Sequence, residues 1–297
     1  MKTKKLNFVF WGTPDVASET LEILKENGYV PSLIITALDK PQGRKMILTP
    51  SPVKTWAIKN NIPYLQPEKL DTKEIRNVLG TLGRSDGDGQ RKFSAENFRG
   101  EQNIPDFFCV VAYGKIIPEN IINMPKFGSI NIHYSLLPKY RGASPVESAI
   151  LNGDKETGIT LQKMEYKMDT GPIIIQEKVK IGSEEKASEL RKRLTKIGGE
   201  LLVKTLPEFI NGKIKPTPQD GSKASVCKKI KKEDGLIDLN DDPIKNYNKF
   251  RAYATWPRTF FFENGKRIII TDAILENGQF KILKIIPESG KETSYTK

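Results

Sequence analysis

Three side chains in this sequence combine in a way that suits acyl transfer to an amine: Asn131, His133 and Asp169. Asn131 and His133 lie in Ser129–His133 (SINIH), a run that reads as a β-strand. Residues two apart on a strand share a face, so the carboxamide and the imidazole project together while Ile132 turns into the core. An amide donor beside an imidazolium can stabilise a carbonyl oxygen as it takes on negative charge. A carboxylate is then needed to fix the tautomer of the ring and balance its charge. Asp169, in the loop MEYKMDTGP, is the candidate, with Gly171-Pro172 as the turn that presents it. Plainer readings stand beside these: a lone histidine is often an inert structural residue, and an aspartate at such a turn is often an Asx-turn residue. The place of His133 beside Asn131, at the carboxyl end of a strand, favours chemistry. On spacing alone Asp169 stays evenly balanced. The set demands no nucleophilic serine or cysteine, since Ser135 is placed by the loop after His133 and not poised against the ring.

An alternation of strands and helices has to carry these groups. Leu6–Trp11, Ser32–Thr36 and Phe107–Ala112 read as buried strands, and further strands are expected near Ile159–Met164 and over Ile173–Lys180. Thr13 reads as the cap of a helix with Pro14 at its first position and Gly28 at its end. Ser51-Pro52 and Ser144-Pro145 repeat that cap-and-proline signal before SPVKTWAIKN and PVESAILN. Ala187, Leu190, Leu194, Ile197 and Leu201 recur every three or four residues, which predicts an amphipathic helix from Glu184 to Leu206, weakened at Gly198-Gly199 and interrupted at Pro207. This pattern implies an α/β fold with a mostly parallel sheet covered on both faces. Such sheets bind ligands at the carboxyl ends of their strands.

From Asn211 to Ser225 the chain turns polar and rich in proline and glycine, as a linker would. Beyond it, RTFFFENGKRIIITDAI places an Asn264-Gly265 turn between two β-forming runs, a hairpin signal. Gly80–Gly100 is glycine-rich and aperiodic and reads as an exposed loop. Trp11, Trp56 and Trp256 read as core or domain-interface residues.

Composition narrows the classes. A chain of 297 residues suggests about two domains. Its 48 Lys and Arg against 36 Asp and Glu leave a net charge of +12, which favours a polyanionic partner. Residues 223–297 hold 15 of those cations against 10 acids, so the small domain is the more densely positive. Two cysteines exclude a disulfide framework, and a single histidine excludes a multi-histidine metal site, so no metal is expected. The opening MKTKKLNFVFWGTPD holds an apolar run of six residues, too short for a signal peptide, and no run approaches the ~20 residues of a membrane helix. A cytoplasmic protein with no membrane association is expected. Gly12-Thr13-Pro14 lacks G-x-G-x-x-G, which disfavours a nicotinamide-dependent dehydrogenase.

The motif INIHYSLLPKYRGASPVESAILNGDKETGIT followed by MDTGPI resembles the formyltransferases that use 10-formyltetrahydrofolate. The likeness begins at FVFWGTPDVASETLEIL, continues through KPQGRKMILTPSPVKTWAIKNNIPYLQP and VVAYGKIIPENII, and resumes in KKIKKEDGLIDL and RAYATWP. It implies a Rossmann-like catalytic domain over residues 1–208, a linker over 209–222, and a small OB-like β-barrel over 223–297 that grips tRNA. It also implies catalytic roles for Asn131, His133 and Asp169. Folate would lie along Ser135, Leu136, Leu137 and Pro138, and along the strand end Val111, Ala112, Tyr113 and Gly114. Lys40, Arg44, Lys45, Lys54 and Arg141 would meet tRNA phosphates, although charge alone makes Ala37–Ser51 an ordinary solvated loop. The implied reaction takes the formyl group of 10-formyltetrahydrofolate to the α-amine of initiator methionyl-tRNA, in a monomer. The rival acceptors are glycinamide ribonucleotide and an amino sugar-nucleotide, and the rival from another class is a non-catalytic RNA-binding protein on the same scaffold. Two departures from the family pattern are the Gly80–Gly100 insertion and a carboxy end that leaves out closing barrel strands.

Overall fold

The computed structural model describes residues 6–43, 45–70, 73–80 and 104–296, so the stretch after Gly80 that reads as an insertion lies outside the described residues. The elements run β1 (Phe8–Gly12), α1 (Asp15–Glu26), β2 (Leu33–Ile35), β3 (Lys40–Gln42), β4 (Ile47–Thr49), α2 (Pro52–Lys59), β5 (Tyr64–Leu65) and α3 (Lys73–Gly80). After these come β6 (Phe107–Val111), α4 (Glu119–Ile122), β7 (Ser129–His133), β8 (Arg141–Gly142), α5 (Pro145–Leu151), β9 (Glu156–Lys163), β10 (Ile173–Lys180) and α6 (Ala187–Ile210). The last are β11 (Val226–Cys227), α7 (Pro243–Ala252), β12 (Phe260–Glu263), β13 (Lys266–Glu276), β14 (Gln279–Pro287) and β15 (Thr293–Ser294).

A seven-stranded sheet of order β10-β9-β7-β6-β1-β2-β5 is the frame of the chain. Its β5, β2, β1, β6 and β7 run parallel, and β9 joins β7 antiparallel. Both faces of the parallel part are apolar, which is why β1 and β6 read as unbroken hydrophobic runs with no exposed position. One face buries Trp11, Ile35, Phe108 and Val110 with Leu79, Ile117 and Ile121. Parallel partners in register share a face, so Val110 beside Asn131 puts Asn131 and His133 on that side.

The chain divides into two compact units. The first comprises Met1–His133, Thr160–Gln176 and Thr195–Gln219; the second comprises Tyr134–Ile159, Glu177–Leu194 and Asp220–Lys297. In the second unit β8 pairs with β11, and β12-β13-β14-β15 form a four-stranded antiparallel sheet. Tyr247 and Phe250 of α7 share a core with Phe261, Ile268, Ile270 and Ile285 of that sheet. The turn between β12 and β13 has φ of +49° at Asn264 and +74° at Gly265, the geometry that selects Asn-Gly in two-residue hairpins.

Local signals are corrected at four places. Thr13 does not cap α1: Pro14 holds the cap position, and the Thr13 hydroxyl donates to the carbonyl of Tyr113 at 3.0 Å, tying the end of β1 to the end of β6. Ser144 makes no side-chain cap on α5, whereas Ser51 does cap α2, accepting from the Lys54 N–H at 3.0 Å. Helix α6 is not interrupted at Pro207 but runs through it to Ile210. Burial of Leu201, Leu202, Leu206 and Phe209 outweighs the missing hydrogen bond, since packing and not propensity decides most helices. Trp256 is 55% exposed and so lies in no core, unlike Trp11 and Trp56.

Candidate active site

The site is built where β7 meets β9. Their register sets Asn131 opposite Gln162 and His133 opposite Thr160. Directly opposed residues of an antiparallel pair share a face, so all four side chains stand on the same side of the sheet. Ile130, Ile132, Ile159 and Leu161 fill the other side and are almost fully buried. Inverting the usual order of a buried strand, β9 keeps Thr160 and Gln162 buried as well, at 0% and 2% exposure. Polar residues buried at every second position need partners. Thr160 finds one in the Gln176 side-chain amide, at 2.8 Å.

Gln162 finds its partner in Asp169. Its side-chain N–H donates to Asp169 Oδ1 at 2.9 Å, and the same carboxylate oxygen lies 3.7 Å from His133 Nδ1. That separation exceeds a hydrogen bond but holds the carboxylate within ion-pair range of a protonated ring. Catalytic hydrogen bonds are often loose before substrate arrives. The imidazole is 6% exposed and the aspartate side chain 12%, so solvent screens their interaction weakly. Among the described residues, Gln162 Oε1 has no hydrogen-bond partner, nor do Tyr113 Oη and Trp11 Nε1, whose rings meet edge-on at 5.3 Å between centroids. Burial pushes the Tyr113 phenol up to about 12, so it stays neutral at physiological pH.

The turn carrying Asp169 is tightly specified. Asp169 itself has φ of +53°, a left-handed conformation that costs a non-glycine residue energy unless neighbours hold it there. Gly171 packs so closely that a Cβ would fall 1.8 Å from the Lys163 carbonyl oxygen. Gln219 then donates from its one amide nitrogen to the carbonyls of both Asp169, at 2.9 Å, and Gly171, at 2.8 Å. Thr217 and Ile173 exchange two backbone hydrogen bonds, each 2.8 Å, beside it.

The structure thus brings Asn131, His133 and Asp169 together and adds Gln162, Thr160 and Gln219. The alternation of Thr160 and Gln162 within an apolar strand was a usable signal for two of these. Gln219 sits in a polar stretch with no signal at all.

The remaining candidates divide. Val111 and Tyr113 are buried while Ala112 and Gly114 are exposed, and Ala112 turns the strand end with φ of +46°. In the second unit, Ser135 is fully buried and its hydroxyl donates to the Lys139 carbonyl at 2.5 Å; Leu137 is buried, and Leu136 and Pro138 are half-buried. Arg141 lies on β8, paired with Val226. Lys40 and Lys45 are exposed at the two-stranded ribbon β3–β4, and Arg44 lies outside the described residues. Lys54 is held within the protein more than the expectation of a free cation implies. Its ammonium is 2.6 Å from Asp39, stands over the Tyr64 ring, and is only 17% exposed, so it braces the root of the ribbon. Asp39 also accepts from Gln66 at 2.7 Å, and these two hydrogen bonds hold its carboxyl below the usual carboxylate range. Among the described residues, no cluster of three or more His, Cys, Asp or Glu could hold a metal ion, and no helix is long and apolar enough to cross a membrane.

Comparison with known proteins places this geometry in context. Residues 4–206 match the family model "Formyl transferase", and residues 229–292 match "Formyl transferase, C-terminal domain". The chain is similar to methionyl-tRNA formyltransferases from Caldicellulosiruptor saccharolyticus, at 38% identity over 89% of this chain and 78% of that protein, and from Staphylococcus epidermidis, at 36% over 91% and 80%. Among solved structures it shares its fold with the methionyl-tRNA formyltransferase from Clostridium thermocellum, with a TM-score of 0.59 at 19% identity, covering 98% of this chain and 100% of that one. The sugar 3N-formyl transferase WlaRD gives a TM-score of 0.63 at 22% identity over 93% of this chain and 88% of that one.

Proposed function

Since the chain belongs to the formyl transferase family, we propose that it moves a formyl group from 10-formyltetrahydrofolate to the α-amino group of initiator methionyl-tRNA. One observation carries the proposal: a carboxamide and an imidazole share a strand face at the carboxyl end of β7, with a partly buried carboxylate held 3.7 Å from the ring. The donor supplies the formyl carbon that the amine attacks. With a reference pKa of about 7.7–8.0, that α-amine is partly unprotonated near neutral pH and needs little activation.

Asn131 donates to the formyl oxygen as charge gathers there, and His133 lends a second donor to the same oxygen. Asp169 lies 3.7 Å from Nδ1 and balances positive charge on the imidazole. The amine nitrogen forms the new bond to the formyl carbon, the bond from that carbon to N10 of the folate breaks, and the proton given up by the amine goes to N10, so that tetrahydrofolate leaves. The buried orphans Gln162 Oε1 and Tyr113 Oη support a site built to receive polar edges of a flat heterocycle, because such atoms are costly without a partner. Folate is assigned to the strand end Val111 to Gly114, and, through the family resemblance, to the loop Ser135 to Pro138 that follows His133 in the chain.

We assign tRNA phosphates to Lys40, Arg44, Lys45 and Arg141, and remove Lys54 from that set in favour of a bracing role. Exposure of Met46, Ile47 and Leu48 at 62–67% supports the ribbon as a contact element, since apolar residues so placed gain by being covered. The four-stranded antiparallel sheet is read as part of an OB-like barrel over residues 223–297, joined to a catalytic domain over 1–208 by residues 209–222; its dense positive charge supports a polyanionic partner. The enzyme is taken to work as a monomer in the cytoplasm.

The test is incubation of the purified chain with 10-formyltetrahydrofolate and methionyl-tRNA. Formylmethionyl-tRNA is the expected product, with none from uncharged tRNA, glycinamide ribonucleotide or an amino sugar-nucleotide. Product from either small acceptor alone would transfer the reading to that acceptor, and no product from any would leave a binding protein.

A further inference from the structure

We propose that Gln219 is a positioning residue for formyl transfer, gripping the turn that presents Asp169 by way of its two carbonyl oxygens. This rests on the role given to Asp169 above. Both partners of the Gln219 amide, the carbonyls of Asp169 and Gly171, can only accept. The NH2 group must therefore face them, and its two protons serve one carbonyl each. These carbonyls belong to the Asp169–Thr170 and Gly171–Pro172 peptides, so the grip fixes the orientation of two peptide groups on either side of Thr170 and Gly171.

The turn needs such a grip. Asp169 is held at φ of +53°, from which an aspartate relaxes readily if its peptide plane is free to rotate. Gln162 restrains only the far end of the same side chain, by one hydrogen bond to Oδ1. A change in the Asp169 backbone would move the carboxylate relative to His133, which lies 3.7 Å away. The grip is itself anchored, because Thr217, two residues before Gln219, exchanges a pair of 2.8 Å backbone bonds with Ile173 at the start of β10. Residues 217 and 219 thus close over residues 169–173 as a strap. The segment whose composition reads as a linker carries part of the catalytic framework.

Gln219→Ala is expected to lower kcat at least tenfold, because displacements of about 1 Å in a reacting group cost up to 10²-fold. The KM values for both substrates should stay within about threefold, since ground-state binding is untouched. Gln219→Glu gives the reading that a general loss of fold would not. Its carboxylate faces two carbonyl oxygens and repels them, while its protonated form donates to one. Activity of Gln219→Glu relative to the parent should therefore rise as pH falls, while the ratio for Gln219→Ala stays flat. Asp169→Ala is measured in parallel, alone and combined with Gln219→Ala. A slow Asp169→Ala enzyme that Gln219→Ala slows no further supports the strap. A slow Asp169→Ala beside a Gln219→Ala of parental kcat, or a Gln219→Glu ratio flat with pH, overturns it while leaving the role of Asp169 intact. A fast Asp169→Ala overturns that role and the strap with it.

Discussion

Two loops leave the carboxyl ends of strands in the first unit, and they are built on opposite plans. The turn between β9 and β10 keeps Asp169 at 12% exposure, holds its carboxylate through Gln162, and locks its backbone through Gln219. The ribbon β3–β4 is secured at its root, where Asp39 takes Lys54 and Gln66, and leaves Met46, Ile47 and Leu48 at 62–67% exposure. The first plan restrains one charged group by hydrogen bonds to both its side chain and its backbone, as suits charge stabilisation in a reaction. The second offers cations and apolar side chains on a short two-stranded tongue, as coverage of a large, irregular ligand requires. Rate should therefore depend on the turn and capture on the ribbon.

Breaking the turn's chemistry should give the largest effect. His133→Ala or Asp169→Ala is expected to lower kcat by about 10²–10⁴-fold in steady-state formylation assays. Affinity for methionyl-tRNA should hardly move, and a matching loss of binding would erase the contrast between the two loops. Next comes the turn's backbone. Gly171→Ala forces a Cβ to within 1.8 Å of a carbonyl oxygen, so thermal unfolding should show a loss of about 1–3 kcal/mol together with a reduced kcat.

The ribbon should respond in the other parameter. Replacing Lys40 and Lys45 by Ala should raise the KM for tRNA and leave kcat alone. It should also flatten the slope of log K against log salt by about 1.4–1.8, if each lysine meets one phosphate. The smallest effect belongs to Asp39→Asn. The carboxyl of Asp39 is held below its ordinary range by Lys54 and Gln66, so folding favours its ionised form. That contribution is complete above the unfolded value of about 3.9 and is lost as pH falls through the lower folded value. The parent should unfold slightly later than Asp39→Asn at pH 7, with the gap closing in acid.

Much of the frame could be read directly. The Asn131–His133 pair followed from a two-residue period, the hairpin from Asn264-Gly265, and the start of α2 from Ser51-Pro52, because each signal is local and no distant group competes with it. The failures share the opposite cause. Thr13 gave up its cap for a carbonyl 100 residues away, Pro207 was tolerated because a buried face outweighed it, and Lys54 met Asp39 in place of solvent. Gln219 is the extreme case. Its role exists only once the turn it grips has formed, and a polar residue among polar neighbours gives no hint of that.

Order of synthesis follows from the strap. Asn131 and His133 leave the ribosome well before Gln219, so a growing chain holds its imidazole in place while the peptide carrying Asp169 still lacks its fastener. On the proposed role of Gln219, the full catalytic rate is expected only after residue 219 has emerged. Chains that end before it carry the imidazole and the carboxylate without the amide that grips the turn between them.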